Sequence, residues 1–432
     1  MSEIHARIGG RLFRARVGDV AARALVAEFG RHPGPKHGLV LWASPESPVL
    51  SAAIDALTPG DTLTVVAGAA GADLRAHVTA LGGWVEQRVR VVSTLAESTE
   101  STVLAGSAGS NVLASSDQAD AVILADLVTG DADEVRSELD GLAKHLNPGG
   151  VVSAAVVVGP FLAGGAGEEL DRQATLYGVG SDLVLRNVPP VRVHNLRYSQ
   201  ADTALAERMA PRERTSSVKI TSDARIDSSG LVAAAICLGA AALTRRARRG
   251  SRLWLLPALA AAPVAAFFRD PERDTPGDPS AIVAASDGRV LAVERVRDDR
   301  LGGEEFLRIA VFLSVLDVHV NRSPVAGRVI DHFVTDGGYA AAMKPEAEHN
   351  VAAYTVLETT HGTVAIAQRA GLIARRIVHR APVGALLAKG ERFGLIRFGS
   401  RTDVYLPGGA VTAMVAPGDQ VAAGETVIAH WV

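Results

Sequence analysis

Cysteine is almost absent from this chain: of 432 residues, Cys237 is the single one. An intrachain disulfide is thereby excluded, and so is a thiolate metal cluster; such a composition suits a reducing compartment. No metal site is expected. A large charge of either sign is also missing. With a formal net charge of −3, the chain lacks the footprint of a general nucleic-acid binder. The opening stretch "MSEIHARIGGRLFRARVGD" is polar and has no apolar core, so it is expected not to be a secretory peptide. No apolar run reaches the roughly 20 residues that cross a bilayer, and no tandem repeat or low-complexity tract is visible.

Apolar bulk, by contrast, is plentiful. Hydrophobic residues make up 48% of the chain, enough for sizeable cores over a length that favours two or three domains. Residues 1–200 alternate strand-like and helical runs: "GLVLWAS", "TLTVVAG", "VRVVST", "ADAVILADL" and "VVSAAVVVG" read as strands, with amphipathic stretches such as "EVRSELDGLAKHLNPGG" between them. That rhythm predicts an α/β domain with a parallel sheet covered by helices. Residues 201–229 are polar and linker-like ("AERMAPRERTSSVKITSD"). From 269 to 432 the pattern becomes short alternating strands separated by Gly, Pro and Asp-Gly turns, which predicts a β-rich domain.

Between these lie residues 230–268, two Ala/Leu-rich runs around a basic knot of Arg245, Arg246, Arg248, Arg249 and Arg252. A pair of buried core helices is one reading. The other, favoured here, is a hairpin dipped into one leaflet, with guanidinium groups at anionic headgroups and Trp254 as an interfacial anchor.

Five motifs then occur in order: "FFRDPER" (267–273), "SDGRV" (286–290), "FLSVLDVHVNRSPVAG" (312–327), "AGLIARRI" (370–377) and "GERFGLIRFGSRTDVYLP" (390–407). Together they closely resemble the phosphatidylserine decarboxylase family in its short bacterial form, over roughly residues 225–432. The resemblance implies a proenzyme that cuts itself between Gly399 and Ser400, giving a large subunit, 1–399, and a small one, 400–432. Ser400 would become an N-terminal pyruvoyl group, the covalent cofactor. It further implies a phospholipid substrate, phosphatidylserine, an anionic membrane surface as partner, and a peripheral place on the cytoplasmic face of the cell membrane. No nucleic-acid partner is implied, and a homo-oligomer is left open.

The chemistry fits those residue types. A serine hydroxyl can attack the preceding carbonyl and turn an amide into an ester, given a base and an oxyanion donor. Glycine before it clears space and tolerates a strained backbone. Elimination and hydrolysis leave a ketone, which serves where pyridoxal phosphate serves elsewhere. Asp287 matches the family aspartate of an Asp/His/Ser arrangement, although an Asp-Gly turn would satisfy "SDG" equally. His319 matches a family histidine linked to decarboxylation, and imidazole suits either proton step. Longer-form relatives place a second histidine three residues on. Arg322 stands there, and a guanidinium is a poor base. His319 therefore serves both steps or another group acts in cleavage. The role of His349 is open, Glu348 reads as structural, and His361 reads as an exposed turn residue. Arg375 and Arg376 suit substrate anions or simply a charged strand end. "GDQVAAGETVIA" has no lysine to modify and reads as scaffold.

The N-terminal domain resembles a class I S-adenosylmethionine-dependent methyltransferase, a Rossmann-like fold, through "ADAVILADL" and "LNPGGVVSAAVVV". The glycine-rich loop that such a cofactor needs after the first strand is replaced by "LVLWASPESP", with Pro45 and Pro48. No acidic residue ends the second strand before Asp73, and Gly68 and Gly71 follow the wrong strand. A degenerate domain is expected. Three readings rival the decarboxylase: a decarboxylase of another serine-headed lipid, a membrane scaffold that never matures, and an active methyltransferase.

Overall fold

The computed structural model describes residues 5–8, 11–14, 16–67, 71–93, 118–158, 164–212, 217–219, 224–248, 250–372, 376–396 and 400–432. They divide into two compact units, one comprising Met1–Asp202 with Arg208–Thr215 and the other Thr203–Glu207 with Ser216–Val432.

In the first unit, β1 (His5–Ile8) and β2 (Arg11–Arg14) form a hairpin. The main sheet holds β3 (His37–Leu41), β4 (Thr62–Val66), β5 (Val89–Val92), β6 (Ala119–Leu127), β7 (Leu146–Val157), β8 (Gly178–Val184) and β9 (Val191–Leu196). Their order is β5-β4-β3-β6-β7-β9-β8. Neighbours from β5 to β7 pair in parallel, whereas β9 runs antiparallel between β7 and β8. The principal helices are α1 (Asp19–Arg31), α2 (Pro48–Asp55), α3 (Gly71–Ala80), α4 (Ala132–Ala143) and α5 (Gly164–Tyr177). Alternation along β3 sorts them into layers: Val40 faces a core shared with α1, α2 and α3, while Leu39 and Leu41 face one shared with α4 and α5. This is the three-layer, Rossmann-like α/β architecture that the sequence rhythm predicts.

The second unit begins inside the segment read as a linker. Strands β10 (Val218–Lys219) and β11 (Ala224–Ile226) pair there, and β11 pairs antiparallel with β12 (Arg269–Pro271). Two- and three-residue strands carry no alternation long enough to see in a polar sequence. The β11–β12 pair closes the base of a helical hairpin, α6 (Ser228–Ala247) and α7 (Leu255–Phe267). Asp227 caps α6 by accepting from Ser229 N–H at 2.9 Å and is held in turn by Arg380, Nη2 to Oδ1 2.7 Å. Helix α6 continues through Arg245 and Arg246, so by length and composition it could cross a bilayer. That corrects the expectation that both runs fall short. Of the basic knot, Arg249 lies outside the described residues.

The β-rich remainder comprises β13 (Ala281–Val283), β14 (Gly288–Arg297), β15 (Glu305–Leu313), β16 (Val320–Arg322), β17 (Gly327–Thr335), β18 (Ala352–Thr359), β19 (Gly362–Arg369), β20 (Ile377–His379), β21 (Leu386–Leu387), β22 (Arg392–Ile396), β23 (Ser400–Pro407), β24 (Val411–Ala413), β25 (Gln420–Val421) and β26 (Val427–Trp431). Eight of them form an antiparallel sheet of order β21-β17-β18-β19-β23-β15-β14-β25; β16-β22-β20 and β13-β26-β24 make two smaller sheets. Strand β23 is central, paired with β15 on one edge and β19 on the other. Its alternate residues Arg401, Asp403 and Tyr405 share one face. There Arg369 of β19 reaches Asp403 at 2.7 Å, and Tyr354 and Tyr405 hydroxyls at 3.0 and 2.9 Å. Arg401 meets the other Asp403 oxygen at 2.6 Å.

Candidate active site

Ser400 is the first residue of β23 and is wholly buried. The β19 ladder stops at Arg401, so Ser400 is paired on one edge only, opposite Leu313 at the end of β15. Among the described residues its Oγ has no hydrogen-bond partner. Arg397, Phe398 and Gly399, the residues just before it, lie outside the described residues.

From Leu313 the chain turns tightly, with Ser314 N–H bonded to Asp317 Oδ2 at 2.7 Å, and delivers His319 ahead of β16. His319 is buried against Phe267, the last residue of α7, with ring centroids 4.2 Å apart. Its Nδ1 lies 2.8 Å from the Asp317 carbonyl. A carbonyl can only accept, so Nδ1 carries the hydrogen and Nε2 keeps its lone pair. That Nε2 is buried and has no hydrogen-bond partner among the described residues. Burial lowers the imidazole pKa and Arg269 adds to this, against the opposing pull of Asp317. The ring is therefore neutral at pH 7 and competent to take a proton. Ile396, four residues before Ser400, donates its N–H to the His319 carbonyl at 3.2 Å. The turn tip between these groups exposes Val315 and Leu316, the latter 82% accessible.

Asp287 enters from the other side. Its carboxylate accepts from Ala423 N–H at 2.8 Å and from Arg273 Nη2 at 2.8 Å, and also from Val318 N–H. Burial raises its pKa beyond what those partners and the Arg273 charge offset, and Asp317 pushes the same way. Asp287 thus holds the residue before His319, without a hydrogen bond to His319 or Ser400 among the described residues. Gly288 follows at φ 139°, where a Cβ would meet the Phe312 carbonyl oxygen at 2.0 Å. The close turn and the glycine are one requirement. Next door, Ser286 Oγ lies 2.5 Å from Thr402 Oγ1, linking the "SDG" turn to β23. Sequence motifs far apart in the chain therefore meet at one end of the sheet.

Arg322 does not join them. Alternation turns it to the opposite face, where its guanidinium donates to Pro271 O at 2.8 Å and Gly390 O at 3.1 Å and approaches Asp270 at 3.5 Å. Burial pulls its pKa down to about 10, still a cation at neutral pH. Arg392 also binds Asp270, at 2.7 Å, so the "FFRDPER" aspartate is a buried anchor. Arg375 lies outside the described residues, and Arg376 is exposed. His349 ends an exposed 3-10 turn, and His361 sits in the β18–β19 turn stacked on Trp431 at 4.5 Å. Sequence reasoning missed Asn321 and Gln368, a buried amide pair at 2.7 Å. Their signal was weak: Asn321 is two residues past His319, but its partner lies in a distant strand.

In the first unit the chains leaving the carboxyl ends of neighbouring strands β3 and β6 pass to helices on opposite faces, the place where such sheets bind ligands. Trp42 follows β3 with φ 62°, a left-handed conformation unusual for a bulky residue. Its ring packs on the Leu39, Leu41, Val122 and Leu124 cluster. A bulky residue thus follows β3 at the sequence position where a nucleotide cofactor would need glycine.

Residues 261–429 match the phosphatidylserine decarboxylase family. The phosphatidylserine decarboxylase proenzyme of Geotalea uraniireducens is 46% identical over 38% of this chain and 76% of its own length. That of Symbiobacterium thermophilum is 49% identical over 38% and 76%. Among solved structures, a putative O-methyltransferase from Klebsiella pneumoniae aligns at 14% identity with TM-score 0.28, over 41% of this chain and 79% of its own. A precorrin-6y C5,15-methyltransferase from Geobacter metallireducens aligns at 15% with TM-score 0.28, over 41% and 88%. The three rivals weighed from sequence find no support here. Excess S-adenosylmethionine should give neither binding heat in calorimetry nor a shift in melting temperature; a saturable isotherm would contradict the expectation of a degenerate domain.

Proposed function

Since this chain belongs to the phosphatidylserine decarboxylase family of carboxy-lyases, we propose that it converts phosphatidylserine to phosphatidylethanolamine after cutting its own Gly399–Ser400 bond. The observation that carries this is Ser400: a wholly buried hydroxyl, without a hydrogen-bond partner among the described residues, at the head of the central strand. Buried hydroxyls are nearly always paired, and a reactive group held ready is the exception that fits.

The proposed cut begins with Ser400 Oγ adding to the Gly399 carbonyl carbon while its proton passes to His319 Nε2. The peptide C–N bond then breaks, the nitrogen of residue 400 takes the proton, and an ester remains. Loss of the Cα proton expels the Gly399 carboxylate and leaves dehydroalanine. Water then replaces the nitrogen, which departs as ammonia, and residue 400 ends as a pyruvoyl group. That ketone, once formed, supplies the site for the substrate amine and the sink for the electrons released with carbon dioxide. The residues around it fit: Ser400 lies in a dry site, His319 offers a neutral nitrogen, and Asp287 fixes the Val318–His319 backbone. With Arg322 committed elsewhere, His319 is assigned the proton transfer of cleavage as well as that of decarboxylation.

The hairpin α6–α7 is assigned to the membrane. Ile236, Leu243, Leu256 and Leu259 are exposed apolar residues on it, each worth about 1.5–3 kcal/mol if buried. Arg245, Arg246, Arg248 and Arg252 cluster at the tip, with Arg245 over the Trp254 ring at 5.2 Å. The β11–β12 pair brings the chain back to its starting side, and α7, with 13 residues, spans only roughly 20 Å. A dip into one leaflet fits this better than a crossing. Phe267 then joins the hairpin to His319, placing the site at the lipid surface, and anionic lipid favours the cytoplasmic face.

Wild-type protein should release carbon dioxide from phosphatidylserine vesicles, and Ser400→Ala should remain one chain and release none; activity in that variant would contradict the proposal. Because His319 stays neutral down to an acidic pH, the rate of self-cleavage should be flat from neutral pH upward. It should fall only below the ordinary imidazole pKa of about 6.5. A rate still rising between pH 7 and 9 would point to another base. In flotation assays, Leu256→Glu with Leu259→Glu should release the protein from anionic vesicles, and undiminished binding would remove the hairpin from the membrane.

A further inference from the structure

Among the buried polar atoms of the second unit that have no hydrogen-bond partner among the described residues are Ser400 Oγ, His319 Nε2, Asn321 Nδ2 and Gln368 Oε1. The first two are used above. Asn321 and Gln368 are both wholly buried, and an orphan donor at that depth calls for a reason.

Register places them. Asn321 lies in β16, two residues past His319, and Arg322, the next residue of the strand, leaves the opposite face. Gln368 stands directly opposite Thr402, and Thr402 is two residues past Ser400. Gln368, Thr402 and Ser400 therefore share one face of the large sheet. The bond from Gln368 Nε2 to Asn321 Oδ1, 2.7 Å, joins the histidine strand to the serine strand. It also commits the Asn321 carbonyl and leaves the Nδ2 donor unused. Gly394, opposite Asn321 on β22, makes room for this pair. A Cβ there would lie 3.1 Å from Gln368 Nε2 and 2.6 Å from the Val378 carbonyl oxygen.

We propose that Asn321 Nδ2 donates to the oxyanion formed when Ser400 Oγ adds to the Gly399 carbonyl, with Gln368 as the positioning residue that orients its amide. The assignment rests on the self-cleavage reading above. In that step the carbonyl π pair moves onto oxygen as the C–O bond forms, and returns as the C–N bond breaks. A donor already desolvated and fixed stabilises that charge without reorganising. A neutral amide can do so beside His319 without competing for the serine proton, whereas Arg322 is turned away.

The test follows conversion of purified full-length chain into its two fragments, with and without hydroxylamine, which cleaves an accumulated ester. Asn321→Ala and Asn321→Leu, the second of nearly the same volume without a donor, should both slow conversion by about 10²–10³-fold at wild-type melting temperature. Hydroxylamine should not restore the rate, since formation of the ester is what is impaired. Gln368→Leu should give a smaller loss. Conversion of both Asn321 variants within a few-fold of wild type would overturn the assignment and leave self-cleavage standing. Rapid hydroxylamine release of fragments from them would likewise place the defect after the ester and overturn it. A wild-type chain that never converts would bring down the self-cleavage reading itself, and the assignment with it.

Discussion

Asp403 has no access to water and depends wholly on its two arginines. Burial alone would raise its pKa, but the Arg369 and Arg401 charges reverse this and hold it low, so it is a carboxylate at neutral pH. Removing one partner of such a buried pair typically costs about 3–5 kcal/mol. Arg369 belongs to the chain before the proposed cut and Asp403 to the chain after it. The ion pair would therefore bridge large and small fragments once the peptide is broken, supported by ladders on both edges of β23. A bond can be cut three residues away without the short fragment leaving, because the β15 ladder and the Arg369–Asp403 pair hold β23 independently of it.

The opposite face of the same strand is where chemistry is assigned. One face carries charges paired with one another; the other carries Ser400 Oγ, which has no partner among the described residues. Period-two alternation makes this separation possible within a few residues: Arg401 and Asp403 on one side, Ser400 and Thr402 on the other. The same device sorts β16, with Asn321 toward the serine strand and Arg322 toward Asp270. Neutral His319 follows from this dryness, since burial disfavours its charged form. Asp287 acts by backbone, tying Val318 and Ala423 to Arg273. The aspartate is thus assigned a positioning role in this chain, without contact to the imidazole.

Much of this was legible beforehand. Ordered motifs pointed to Ser400, His319 and Asp287, and the alternating runs read as strands because burial on one face imposes that period. The hairpin was visible as two apolar runs, but its longer helix was underestimated, because Arg245 and Arg246 continue a helix that composition alone would end. Strands β10 and β11 were invisible, being too short to show a period. Asn321 and Gln368 were missed because an amide pair between distant strands leaves no local trace. The missing glycine after β3 was visible in the sequence; that Trp42 follows the strand in a left-handed conformation could come only from the fold.

The central claim is that Ser400 breaks the bond before it and becomes the head of a separate subunit. Intact-mass measurement of the protein expressed in a bacterium addresses it directly. The account predicts two species: one ending at Gly399, and one spanning residues 400–432 whose first residue has the mass of a pyruvoyl group and resists N-terminal sequencing. A single full-length mass from protein that nonetheless decarboxylates phosphatidylserine would contradict it.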